Sequence, residues 1–295
     1  MSHAVFADPK TDVAFQRIFG TEKHKPLLIA LLNALLGLDE AHRIVHVERI
    51  PPEQRPRIRE LKYSIIDVKC VDAAGTLYVV EMQVLYREAF EKRLVDGVAK
   101  AYVSQLAVGT PYPQLNDVIG ISICTFTLWP EGAEPRVPML NRWRMQEQNS
   151  GAYGIDQLQL VFLELPKLDR SREPHTLVEK WAYFLREAPN LEVIPPSLAA
   201  EPPLVDAFEA ARLTRFTKAE WDDYTAQIIA IQEESGPETG AMKRGRAEGL
   251  RLGIESLCDV LQIPLDAARR AQLDRLDAAG LEALLQRIRA GRAWD

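Results

Sequence analysis

A chain of 295 residues with 47% apolar and 26% charged side chains can bury a sizeable core in one large domain or two ordinary ones, which excludes a disordered or fibrous polypeptide. A formal net charge of -6 with a pI near 5.6 removes any global electrostatic pull toward nucleic acid, so a DNA contact needs a local basic patch. Cys70, Cys124 and Cys258 are widely spaced among apolar neighbours, without a CxxC pair, and read as reduced core thiols; with no signal-like start and no run near the roughly 18 apolar residues of a membrane span, the expectation is a cytoplasmic protein without a membrane partner.

In chain order, "TDVAFQRIFG" and "PLLIALLNALLG" space their apolar residues as two helices, with Thr11 as N-cap and Gly20 and Gly37 as stops. The proline-rich "RIPPEQRPRIRE" predicts a connection that carries Arg49, Arg55, Arg57 and Arg59. His42 and His46 stand four apart, a spacing that suits zinc on a helix, but no third ligand is near.

Residues 63–71 and 76–84 predict two strands around "DAAG", followed by a helix in "EAFEKRLVDGVAKAYVSQL" that lines up Phe90, Leu94, Val98, Tyr102 and Leu106. Residues 117–128 and "LQLVFLELPKL" predict further buried strands, giving an α/β domain to about residue 170. A helical extension over 171–235 is expected next, then a segment over 236–255 with Gly245, Gly249 and Gly253 four apart, which reads as a linker or a helix. The last stretch, 256–295, predicts a small helical module.

The strand pair holds the chemical signal. A three-residue "AAG" turn with Gly75 left-handed pairs Asp72 with Thr76, so that facing residues sum to 148 and Asp67 stands opposite Glu81. Gln83 shares the face of Glu81 because side chains alternate. Facing carboxylates repel, and a divalent cation such as Mg²⁺ removes the repulsion while polarising a phosphoryl oxygen and acidifying water for phosphodiester hydrolysis. Gln83 is placed to orient that water. The other reading keeps both acids on a solvated face, paired with Lys62, Lys69 or an arginine of the 49–59 loop. Neither a GxxxxGK[ST] phosphate loop nor a GxSxG nucleophile occurs.

A strand Asp, a glycine turn and ExQ on the next strand resemble a PD-(D/E)XK nuclease site with Gln in place of Lys. "KTDVAFQRIFG", "LLIALLNALLG", "IIDVKC", "VVEMQ", "FEKRLVDGVAKAYVSQL", "FLELPKL", "EKWAYFL" and "RAEGLRLG", in that order, make the chain resemble the Rpn family of recombination-promoting nucleases, also catalogued as transposases, over most of residues 9–255.

The resemblance implies a restriction-endonuclease-like PD-(D/E)XK core, a mixed sheet flanked by helices, with an α-helical C-terminal extension. It implies a metal-dependent DNA endonuclease linked to recombination or mobile elements, with Mg²⁺, or Mn²⁺ or Ca²⁺, as cofactor and DNA as partner. Residue by residue, Asp67 and Glu81 become metal ligands and Gln83 the counterpart of the motif lysine. Asp12 becomes either an additional acid or a helix N-terminal charge, and Arg93 either a phosphate contact or a salt-bridge partner. Tyr102 matches the family's helix motif, whereas Gly97 departs from it where an aromatic residue is expected.

The compact D…ExQ pair, rather than three acids on an RNase H-like sheet, favours nuclease chemistry over complete transposition. Cutting both strands with one site per chain favours a homodimer formed through the C-terminal helices. The alternative is a catalytically weak or inactive nuclease-fold protein that binds DNA or another protein.

Overall fold

The computed structural model describes residues 4–50, 68–86, 88–105, 111–130, 135–234, 240–276, 278–291 and 294. The chain divides into two compact units, one formed by Met1–Val84 with Ala89–Glu234, the other by Leu85–Glu88 with Ser235–Asp295.

The first unit opens with α1 (Asp12–Phe19), whose N-cap Thr11 accepts a hydrogen bond from the Ala14 amide, as its sequence requires. Next, α2 (Lys25–Leu36) stops at Gly37, which takes the left-handed φ of 63° that a side chain disfavours. The strands are β1 (Val47–Arg49), β2 (Val68–Asp72), β3 (Leu77–Gln83), β4 (Val118–Cys124), β5 (Leu140–Trp143) and β6 (Leu158–Glu164), with α3 (Phe90–Val103) between β3 and β4. They form one sheet in the order β1-β2-β3-β4-β6-β5. The central pairs β3–β4 and β4–β6 are parallel, and the flanking pairs are antiparallel.

This mixed sheet flanked by helices is the α/β core expected. Two strands escape sequence reading. β1 is three residues long next to a proline-rich stretch, and β5, "LNRW", buries only Asn141. Their strand character comes from the neighbours they pair with.

Alternation splits the sheet into two faces. Val68, Cys70, Tyr78, Val80 and Met82 share one core with Phe15 and Phe19 of α1 and Leu28, Leu31 and Leu32 of α2. The same core takes Trp181 and Phe184 of α4 (Leu177–Glu187), Leu198 of the short α5 (Pro196–Ala199), and Phe208 of α6 (Pro202–Ala211). The helices that follow the last strand therefore complete the layer on this face; α7 (Lys218–Glu234) joins them through Tyr224, which packs on the same core.

The opposite face carries α3. A methyl group placed on Gly120 of β4 would lie 2.4 Å from Val98 and 3.6 Å from Leu94, so the missing side chain is what lets α3 approach the sheet. Phe90 of α3 meets Phe126 and Phe162 edge to face, at centroid distances of 5.6 and 6.5 Å.

In the second unit, α8 (Gly240–Val260), α9 (Ala267–Arg275) and α10 (Ala278–Gly291) enclose Ile254, Cys258, Leu273, Leu281, Leu284, Ile288 and Trp294. The glycine-spaced segment is thus helical. Added methyl groups at Gly249 and Gly253 would meet nothing within 4 Å, so no packed backbone uses that glycine face among the described residues. All three cysteines are buried and free. No described helix is long and apolar enough to cross a membrane.

Candidate active site

The site begins with a turn. Asp72 accepts hydrogen bonds from the amides of Ala74 and Thr76, both 2.9 Å, and from the Tyr78 hydroxyl at 2.7 Å. Gly75 takes a φ of 93°, and the Asp72 amide donates to the Thr76 carbonyl at 3.1 Å. Such a bulged turn fixes which residues face each other. Val68 pairs with Val80, Lys69 with Val79, Cys70 with Tyr78 and Val71 with Leu77, which is the expected register over the described residues. Asp67 lies outside the described residues.

Glu81 follows Val80 and alternates away from the core that holds Val80 and Met82, so it faces the α3 side. Its row runs through Ser122 of β4, Phe162 of β6 and Asn141 of β5. The residue is only 5% exposed. No described residue donates a hydrogen bond to its carboxylate or forms an ion pair with it within 4 Å. Burial pushes the carboxyl up to about 7, and the charge of Arg93 on α3 pulls the other way.

Gln83, at the end of β3 and less buried, faces Cys124, whose row ends at Glu164. Burial pushes the Cys124 thiol up to about 12, and the charges of Glu164, Glu91 and Glu81 add to that shift. The thiol therefore stays protonated near neutral pH and is no nucleophile.

Glu164 offers the informative contrast. It is fully buried, yet it accepts from the Leu128 amide at 2.7 Å, Asn141 at 3.0 Å and the Lys167 ammonium at 2.9 Å. Lys167 also donates to the Val137 carbonyl at 2.8 Å. Glu164 thus ties the segment after β4 and the start of β5 to the end of β6, and its charge is satisfied. The sequence marks it only as an acid closing an apolar run, which does not distinguish it from Glu81. Among the buried acids, Glu81 is the one that the described protein leaves without a donor or a counter-ion in contact.

Asp12 sits in the first turn of α1, in the helix layer over the other face of the sheet. Burial raises its pKa. The neighbouring α1 amides are served by Thr11 and by Gln227, which accepts from the Val13 amide at 3.0 Å. The fold therefore brings Glu81, Gln83 and Arg93 to one side of the sheet and puts the helix of Asp12 on the other.

A divalent cation fits the chemistry of Glu81: an oxygen donor held ready, short of hydrogen bonds, whose ionised form a cation would restore. Among the described residues no three His, Cys, Asp or Glu side chains group to hold a metal without further ligands. A family model described as "PD-(D/E)XK nuclease family transposase" matches residues 9–234. No curated protein and no solved structure matches the chain.

Proposed function

Because the chain belongs to the PD-(D/E)XK nuclease family transposases, we propose that it is a metal-dependent DNA endonuclease whose site is centred on Glu81. The observation that carries this reading is a carboxylate 5% exposed, raised to about 7 and left without a hydrogen-bond donor among the described residues. A buried charge held so is unfavourable unless a ligand compensates it.

Asp67, which precedes Val68 as Glu81 follows Val80, joins Glu81 in holding Mg²⁺ or Mn²⁺. When bound, the cation polarises the phosphoryl oxygen and offsets charge on the leaving oxygen. In the hydrolysis, a water oxygen forms the new bond to phosphorus, the ester bond to the leaving oxygen breaks, and a proton ends on that leaving oxygen. Gln83 orients the water by hydrogen bonding. Arg93, on the first turn of α3, contacts a DNA phosphate near Glu81. A dimer through the C-terminal helices would place two such sites on a duplex, and a role in recombination or mobile-element movement follows from that activity.

The acidic pI and the neutral amide at Gln83 favour a second reading, a nuclease-fold protein that binds DNA or protein without cutting. Cleavage of supercoiled plasmid with Mg²⁺, Mn²⁺ or EDTA, beside Asp67→Ala and Glu81→Ala, separates the two. Metal-dependent nicking lost in both variants supports the enzyme. Folded proteins that are all equally inert leave the binding protein.

A further inference from the structure

The family motif carries a lysine two residues after its Glu, and here that position is Gln83, an amide without charge. A phosphoryl transition state gains most from preorganised positive charge, so the source of that charge matters. Among the described residues of this sheet face, Lys69 meets the need.

Lys69 of β2 lies directly opposite Val79 of β3, and Val79 shares its face with Glu81. The rows on this face are therefore ordered: Lys69 with Val79 and Gly120, then Glu81 with Ser122, then Gln83 with Cys124. Lys69 and Gln83 flank the Glu81 row from its two sides, one on each strand of the hairpin. Diagonal cross-strand neighbours such as Lys69 and Glu81 stand ~7–8 Å apart at the backbone, within the span of a flexible four-carbon stem carrying an ammonium.

Lys69 is also half-buried, and its ammonium makes no hydrogen bond or ion pair among the described residues. By contrast Lys167, buried on the same chain, is paired with Glu164. An anionic phosphate brought to Glu81 would give Lys69 a partner that it lacks among the described residues.

We propose that Lys69 is the catalytic cation of this site, reaching from the neighbouring strand to the scissile phosphate in place of the lysine that Gln83 replaces. The assignment rests on the nuclease reading above. It differs from a packing role in one respect: the charge is what counts, so it can be moved to the other flank.

The test is plasmid cleavage in Mg²⁺ and Mn²⁺ by the full chain, comparing wild type, Lys69→Gln, Gln83→Lys and the double variant Lys69→Gln/Gln83→Lys, each with its melting temperature. The expected result is a loss of ~10²-fold or more in Lys69→Gln at an unchanged melting temperature, the size seen when one transition-state donor is removed. At least tenfold recovery is expected in the double variant. Cleavage by Lys69→Gln at the wild-type rate overturns the assignment, and so does a folded double variant with no recovery. A wild type that cuts nothing, while remaining folded, overturns the nuclease reading itself, and the role of Lys69 falls with it.

Discussion

Glu81 and Glu164 are both acids near the C-terminal ends of parallel strands, and both are buried on the α3 side of the sheet, yet among the described residues only Glu164 is surrounded by donors. That difference makes one carboxylate a structural tie and leaves the other as the proposed metal ligand. It also sets the expected behaviour of the protein with pH, metal and substitution.

The Glu81 carboxyl stands at about 7 in the folded chain against an ordinary value of 4.5. The folded state then binds a proton that the unfolded state releases, so stability falls as pH rises from about 4.5 to about 7 and levels off above. A shift of this size corresponds to roughly 3 kcal/mol. In EDTA at pH 8, Glu81→Gln should melt several degrees above wild type, and the gap should close near pH 4.5. An equal gap at both pH values, read by thermal unfolding, would contradict the burial of an ionised Glu81.

Metal binding should show the opposite pH trend. Mg²⁺ or Mn²⁺ favours the ionised carboxylate, so at pH 8 a concentration of a hundred times Kd should stabilise the chain by ~2.7 kcal/mol. The same concentration at pH 5 should do much less, because Glu81 keeps its proton there. The rise in melting temperature should vanish in Glu81→Gln, and a rise that survives the substitution would place the cation elsewhere.

Gly120→Ala probes how α3 is held. The new methyl group would stand 2.4 Å from Val98, on a β-branched side chain fixed to a helix, and 3.2 Å from Leu160. Moving α3 away from the sheet should cost about 1–3 kcal/mol, the usual range for overpacking a core. Urea unfolding measures that loss. Because α3 also carries Arg93, the metal-dependent cleavage rate at a temperature where the variant is folded should fall as well.

Arg93→Gln removes a charge that acts on Glu81 from α3. The Glu81 carboxyl should move further up, and DNA affinity in EDTA should fall without a change of sequence preference. The slope of log affinity against log salt should flatten by about one, as for the loss of a single phosphate contact. An unchanged slope would leave Arg93 without a phosphate contact.

The sequence by itself determined the two opening helices with their Thr11 and Gly37 signals, the Asp72–Gly75 turn, and through that turn the register from Val68–Val80 to Val71–Leu77. Those features are local: caps and turns are set by a few neighbouring residues, and a turn of defined length dictates who faces whom. It also carried the resemblance to a PD-(D/E)XK nuclease family transposase, which the family match over residues 9–234 bears out; "RAEGLRLG" lies beyond that match. Tertiary structure alone decided that β1 and β5 are strands, that α3 lies over Gly120, and that the helices from Leu177 to Glu234 share the core of the first unit. It alone separated Glu81 from Glu164 and set Lys69 beside the Glu81 row without a counter-ion among the described residues. Burial and partnership depend on residues far apart in the chain, so two acids within similar apolar runs look alike until the sheet and its helices bring donors, among the described residues, to one of them alone.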